Sequence, residues 1–79
     1  MKLIKFELPG CNPCQMVQNF LDSKEVRVEK INPMDQPETA AKFDIASVPV
    51  TILLNEEGSE VDRCVGFNPE KLDELISKL

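Results

Sequence analysis

Two cysteines three residues apart constrain this chain more than any other feature. The run Cys11-Asn12-Pro13-Cys14 follows a short apolar segment and precedes a helical pattern of apolar residues. On a helix, residues i and i+3 lie about 5–6 Å apart at Cβ, which is close to the separation that a disulfide tolerates. A C-x-x-C pair beside a strand–helix–strand pattern is typical of a dithiol/disulfide redox site. The motif therefore predicts thiol–disulfide chemistry.

The position of the motif at a helix start predicts different roles for the two thiols. Unpaired backbone N–H groups and the positive end of the helix dipole favour the thiolate form of Cys11. Pro13 suits the first helical turn, where its missing N–H leaves no hydrogen bond unmade. Cys14 lies one turn further, among apolar positions, and should be more buried and less ionised. We expect Cys11 to be the nucleophile and Cys14 the resolving thiol.

A C-x-x-C pair can also be half of a zinc site, which usually takes four Cys or His ligands. The chain has no histidine and one further cysteine, Cys64, so a site within one chain lacks ligands. Two copies could share a zinc or iron–sulfur centre through four thiolates, and this metal-binding module stays open as the alternative from another class. We interpret Cys64 as a small hydrophobic residue, with a regulatory or second resolving thiol as its alternative.

Length and charge limit the function classes further. The 79 residues predict one domain, residues 1–79. A net charge of −5 argues against nucleic acid or an anionic membrane as a partner. No apolar stretch has the length of a membrane span, and the N-terminal residues alternate too early for a signal peptide. We expect a cytoplasmic monomer.

Hydrophobic periodicity predicts four strands and three helices in the order βαβ–α–ββ–α, an α/β fold. Strands joined by a helix lie parallel, so the cysteines should fall at the carboxyl end of the first strand, where open α/β sheets place active sites. Asp35 is the predicted cap of the second helix. Strands are predicted over residues 2–8, 26–31, 50–54 and 60–66, and helices over residues 13–23, over residues 39–43 and after the cap Asn68.

With Cys11-Asn12-Pro13-Cys14 after the first strand and Ser47-Val48-Pro49-Val50 before the third, the chain resembles thioredoxin-fold proteins over essentially its whole length. It lacks the extra strand and helix that precede the active-site strand of thioredoxins, as glutaredoxins do. The resemblance implies a minimal thioredoxin fold, a four-stranded mixed sheet flanked by three helices. Residues 28–32, 37–45 and 48–49 are similar to thioredoxin itself, and residues 65–70 resemble the ending of the glutaredoxin-sized redoxins that reduce ribonucleotide reductase.

The same resemblance implies a substrate-binding surface. Pro49 should be a cis-proline that faces the disulfide and leaves the backbone of Val48 free to pair with an extended substrate segment. The alternative is a trans proline that merely starts an edge strand. Gly66 should keep the wall beside the dithiol low enough for a partner backbone, with a simple strand-ending glycine as the alternative. The predicted substrate-binding residues are Gly10, Asn12, Pro13, Val48 and Gly66.

Several residues depart from the family patterns. Gly10 stands where thioredoxins usually carry Trp, and Lys5 stands where they carry a buried Asp that helps move protons at the second cysteine. Lys30 matches the lysine that neighbours that Asp. Lys5 and Lys30 are candidates for electrostatic tuning, because two ammonium groups near the dithiol would favour the thiolate and raise the reduction potential. The alternative is two surface lysines with buried stems.

Leu8 stands where glutaredoxins usually carry a basic residue that contributes to glutathione binding. Glutathione is a net anion, and this site offers few cations to hold it. We therefore predict a thiol–disulfide oxidoreductase without cofactor or bound metal, which reduces protein disulfides. Its resemblance to the redoxins that reduce ribonucleotide reductase, which take electrons from thioredoxin reductase, implies that thioredoxin reductase recycles it. Ribonucleotide reductase is a candidate substrate. A glutathione-coupled glutaredoxin is the alternative within this class.

Overall fold

A four-stranded sheet and three helices build the protein, described here for residues 1–79 from a computed structural model. The chain follows the predicted order βαβ–α–ββ–α, and the predicted fold class is confirmed. No helix is both long enough and apolar enough to span a membrane. The strands are β1 (Lys2–Phe6), β2 (Val28–Ile31), β3 (Val50–Leu54) and β4 (Glu60–Val65), and the helices are α1 (Asn12–Ser23), α2 (Pro37–Lys42) and α3 (Pro69–Ser77).

The sheet is mixed and brings four strand ends to one edge. Its strand order is β2-β1-β3-β4. β1 pairs with β2 in parallel and with β3 antiparallel, and β3 pairs with β4 antiparallel. Phe6 at the end of β1 lies opposite both Ile31 and Val50, and Val50 lies opposite Val65. The segments that follow β1, precede β3 and follow β4 therefore meet at this edge.

The two faces of the sheet bury separate apolar clusters. Both contain residues of the central strands β1 and β3, because both faces of those strands are covered. The cluster toward α2 comprises Ile4, Phe6, Ile31, Ala40, Phe43, Val50, Ile52 and Leu54. The cluster toward α1 and α3 comprises Leu3, Val17, Leu21, Leu53, Cys64, Leu72 and Leu75.

Several predicted details are wrong. β2 begins at Val28 instead of residue 26, and β4 ends at Val65 instead of residue 66. β1 ends at Phe6 instead of residue 8.

Asp35 does not cap α2, whose N-cap position is Gln36 without a side-chain hydrogen bond. The backbone N–H groups of Asp35 and Gln36 both donate to the Asn32 carbonyl at 3.0 Å, and this turn holds Asp35 ahead of the helix. α2 itself covers Pro37–Lys42, two residues earlier at its start than predicted.

The predicted cap of α3 is confirmed. The side chain of Asn68 accepts a hydrogen bond from the backbone N–H of Lys71 at 3.2 Å, which satisfies one unpaired donor of the first turn. Leu72 and Leu75 are fully buried against the sheet. α3 ends at Ser77, and Leu79 beyond it is exposed.

Candidate redox site

Cys11 begins helix α1 as its N-cap residue. The backbone of Cys11 is extended, with φ −89° and ψ 108°, and its Sγ accepts a hydrogen bond from the backbone N–H of Cys14 at 3.1 Å. The preceding Gly10 has φ +74°, a left-handed conformation that glycine adopts without steric cost. Pro13 lies in the first turn of α1. This local structure places a sulfur where the helix leaves its backbone N–H groups unpaired.

Cys11 and Cys14 form a disulfide, with their Cα atoms 5.2 Å apart. The two cysteine residues differ in their exposure to solvent. Cys14 is 3 % exposed, whereas Cys11 is half-buried and its neighbours Asn12 and Pro13 are exposed. An incoming thiolate or disulfide therefore reaches Cys11 first. The expected difference in burial is present, and the roles of nucleophile and resolving thiol stay predictions.

The disulfide lines an open cavity of about 280 Å³. Glu7, Cys11, Cys14 and Gln15 are among the residues around it. Glu7 was not among the predicted site residues, and it directly precedes the segment that connects β1 to the cysteines. A larger apolar groove of about 520 Å³ lies beside β2 and the two chain termini, and contains neither cysteine of the disulfide.

The segment before β3 presents free backbone groups at the same sheet edge. The Val48–Pro49 peptide bond is cis, the isomer that the resemblance implied. Neither the N–H nor the C=O of Val48 takes part in a backbone hydrogen bond, whereas the Pro49 carbonyl accepts from the Gly66 N–H at 2.8 Å. Gly66 has φ +78°, and a Cβ placed on it would meet nothing within 4 Å. The space beside Gly66 is therefore open.

The two candidate lysines have different environments. Lys5 is completely buried, so the alternative of a surface lysine is wrong for this residue. Its Nζ lies 2.6 Å from Glu7 Oε1 and donates to Gln18 Oε1 at 2.6 Å. Lys30 lies opposite Lys5 in the paired strand and is exposed. Electrostatic tuning of the dithiol by either lysine stays a prediction, and the Lys5 charge is already paired with a carboxylate.

Cys64 is free and 1 % exposed. Its thiol donates toward the Gly66 carbonyl at 3.5 Å and the Asn68 carbonyl at 3.8 Å. Burial raises the pKa of the Cys64 thiol, because the charged thiolate is poorly solvated there. This environment suits the small hydrophobic residue that the sequence indicated. No group of three or more His, Cys, Asp and Glu side chains is placed to hold a metal ion.

Comparison with known proteins agrees with this geometry. The family model described as thioredoxin matches residues 1–78. The chain is 51 % identical over 79 residues to the SPbeta prophage-derived thioredoxin-like protein YosR of Bacillus subtilis (strain 168), covering 100 % of this chain and 99 % of that protein. It is 34 % identical over 85 residues to a thioredoxin of Staphylococcus haemolyticus, covering 99 % of this chain and 81 % of that protein.

Solved structures show the same fold. Oxidized mitochondrial thioredoxin 3 from Saccharomyces cerevisiae superimposes with a TM-score of 0.78 at 27 % identity, covering 98 % of this chain and 76 % of that one. Thioredoxin NaTrxh from Nicotiana alata gives a TM-score of 0.81 at 27 % identity, covering 96 % and 70 %. The match, joined to a disulfide-forming C-x-x-C pair, identifies a thiol–disulfide oxidoreductase. The chain belongs to the thioredoxin family.

Proposed function

We propose that this protein reduces disulfide bonds in other proteins, with Cys11 as the nucleophile and Cys14 as the resolving thiol. One observation carries the proposal. Cys11 is half-buried and its sulfur accepts a hydrogen bond from a backbone N–H at the start of α1, while its disulfide partner Cys14 is buried. A backbone donor and the helix dipole stabilise negative charge on the Cys11 sulfur and give that of Cys14 no such support.

The reaction proceeds in two exchanges. The Cys11 thiolate attacks one sulfur of the substrate disulfide, forms a mixed disulfide and releases the other substrate sulfur as a thiolate. Cys14 then loses its proton and attacks the Cys11 sulfur, which releases the second substrate thiolate and leaves the Cys11–Cys14 disulfide. Two electrons pass to the substrate, and the released thiolates take up protons.

The substrate backbone docks, we propose, beside Val48 and Gly66. An extended segment can pair with the free N–H and C=O of Val48, as in other strand-addition complexes. The open space at Gly66 leaves room for that segment. Gly10, Asn12 and Pro13 are exposed around Cys11 and would contact the same partner. Main-chain pairing of this kind accepts many sequences, which suits a reductase of several proteins.

Thioredoxin reductase is the proposed electron source. Glutathione needs cations for its carboxylates, and Leu8 supplies none. Lys5 is buried and engaged with Glu7 and Gln18, so it is not free to bind glutathione. The net charge of −5 also opposes anion capture, weakly beyond a Debye length of roughly 8 Å. Ribonucleotide reductase is a proposed client, on the likeness of residues 65–70 to the redoxins that serve it.

Trapping tests the two roles. We expect Cys14→Ser to accumulate a mixed disulfide between Cys11 and a reducible protein such as insulin, because the resolving thiol is gone. Cys11→Ser should trap nothing and reduce nothing. Cys64→Ser is the matched control and should keep turnover. Reductase activity retained in Cys11→Ser would refute the dithiol mechanism.

Parallel assays test the electron source. Insulin reduction is measured with NADPH and thioredoxin reductase, and separately with NADPH, glutathione and glutathione reductase. We expect turnover in the first assay and little in the second. Efficient turnover with glutathione and none with thioredoxin reductase would instead favour the glutaredoxin alternative.

A further inference from the structure

Resolution of the mixed disulfide requires a proton acceptor for Cys14. Only the thiolate is an effective nucleophile, and a buried thiol resists ionisation. Cys14 is 3 % exposed, so solvent has little access to its proton. The chain has no histidine, the commonest base for such a transfer. Apart from the two cysteines, Glu7 is the only ionisable side chain around the cavity that both cysteines line.

A buried lysine fixes the Glu7 carboxylate in place. The Lys5 ammonium group is completely removed from solvent, and a buried charge is strongly unfavourable unless it is paired. Glu7 supplies the counter-charge at 2.6 Å, and its side chain is 30 % exposed. Gln18 of α1 accepts a second Lys5 hydrogen bond at 2.6 Å, and its own amide donates to Asp22 at 2.8 Å. The carboxylate is thus tethered to β1 and indirectly to α1, the helix that carries Cys14.

We propose that Glu7 accepts the proton of Cys14 during resolution and that Lys5 is the residue that positions Glu7. The proposal rests on the proposed function and adds a third catalytic residue to the two cysteines. The Cys14 S–H bond breaks, and its proton passes to the Glu7 carboxylate. The Cys14 thiolate then attacks the Cys11 sulfur, and the departing substrate thiolate or solvent takes the proton from Glu7.

The charged surroundings of Glu7 are defined. Lys5 faces it from its own strand. Lys30 of β2 and Asp35 of the segment before α2 line a second cavity with Glu7. Cys11 and Cys14 face it from α1. A carboxylate that lines the same cavity as the cysteines would by charge alone disfavour both thiolates. Removing it therefore accelerates exchange if Glu7 acts only by charge, and slows resolution if Glu7 accepts the proton.

Ellman's reagent, an aromatic disulfide, separates the two exchanges. Cys11 attack releases one coloured thiolate, and Cys14 attack on the resulting mixed disulfide releases the second. With pre-reduced protein near neutral pH, we expect Glu7→Gln to leave the first release unchanged or faster and to slow the second about 100-fold. Raising the pH should restore the second release in this variant, because hydroxide then removes the Cys14 proton. Glu7→Asp should recover part of the wild-type rate.

Two further variants complete the test. Glu29→Gln is the matched control, because it removes the same charge and also breaks a β1 lysine pair, Lys2–Glu29 at 3.1 Å, and it should match the wild type. Lys5→Met should slow the second release and shift its pH dependence toward that of Glu7→Gln. An unchanged or faster second release in Glu7→Gln overturns the proposal. A wild-type protein that releases only one thiolate instead overturns the proposed function of Cys14.

Discussion

The two faces of the sheet bury clusters of similar size but differ in chemistry. The buried side chains of the face toward α2 are all apolar, with Arg63 at its rim. On the face toward α1 and α3, Lys5, Thr51 and Cys64 lie in register across three adjacent strands and are each at most 1 % exposed. The polar row runs beneath the helix that carries the disulfide. The α2 face therefore mainly stabilises the fold. On the α1 face we propose a role at the redox site for Lys5 alone, which pairs with Glu7.

The largest expected effect concerns the apolar α2 face. Phe6 is fully buried, and its ring centroid lies 6.0 Å from that of Phe43. Phe6→Ala should lower the free energy of unfolding by about 3–5 kcal/mol, because it removes buried apolar surface and leaves a cavity. Urea denaturation measures the loss. Val65→Ala, at a 62 % exposed position, is the control and should change stability by less than about 0.5 kcal/mol. A loss below about 1 kcal/mol for Phe6→Ala would contradict the assigned role of this face.

A substitution in the polar row should have the opposite sign. The Thr51 hydroxyl is buried and has no hydrogen-bond partner. Thr51→Val keeps the side-chain shape and removes the unpaired hydroxyl, so it should raise the free energy of unfolding by about 1–2 kcal/mol. Urea denaturation measures the change. Thr39→Val, the same substitution at a half-buried helix position, is the control that isolates the effect of burial. Destabilisation by Thr51→Val would mean that the hydroxyl is bonded in solution.

A substitution of Cys64 tests whether this member of the polar row takes part in the redox reaction. Cys64→Ala should lower the free energy of unfolding by about 1 kcal/mol, because it removes one buried sulfur. Insulin reduction should stay within about two-fold of the wild type, since the raised pKa of Cys64 keeps its thiol protonated near neutral pH. A variant that folds but loses activity would make Cys64 part of the redox site.

The smallest effect lies at the rim of the α2 face. Arg63 donates to Glu60 and to the Phe43 carbonyl, at 2.6 Å and 2.8 Å. Its hydrogen bond lowers the pKa of Glu60 below the ordinary 4.5. The folded-state carboxylate therefore contributes stability above pH 4.5, and the contribution is lost as the pH falls through the folded-state pKa. Glu60→Gln should cost less than about 1 kcal/mol at neutral pH and nothing in strong acid. An equal loss at both pH values, in urea titrations, would exclude this ion pair as the cause.

Local signals in the sequence predicted most of the fold. The periodicities gave every strand and helix, and the Asn68 cap follows from its own side chain. The alternation of β1 does not show that both faces of this central strand are covered, as the two apolar clusters reveal. That position depends on packing between elements, so the burial of Lys5 could not be read from its own strand.

For the redox site, too, the sequence patterns predicted local relations and missed those that depend on other elements. The C-x-x-C spacing identified Cys11 and Cys14 because their relation is local to one helical turn. Glu7 was missed, because its place at the cavity depends on the buried lysine that holds it. Asp35 was assigned as a cap from its residue type, and a neighbouring turn at Asn32 excluded it from the helix. Sequence patterns therefore miss residues whose position depends on contacts with other side chains or turns.

The central claim is that Cys11 is the reactive thiol and Cys14 the protected one. Brief alkylation of the fully reduced protein with iodoacetamide near neutral pH, followed by peptide mass spectrometry, tests it directly. We expect Cys11 to be modified first, well before the buried Cys14 and Cys64. Modification of Cys14 before Cys11 would contradict these assigned roles.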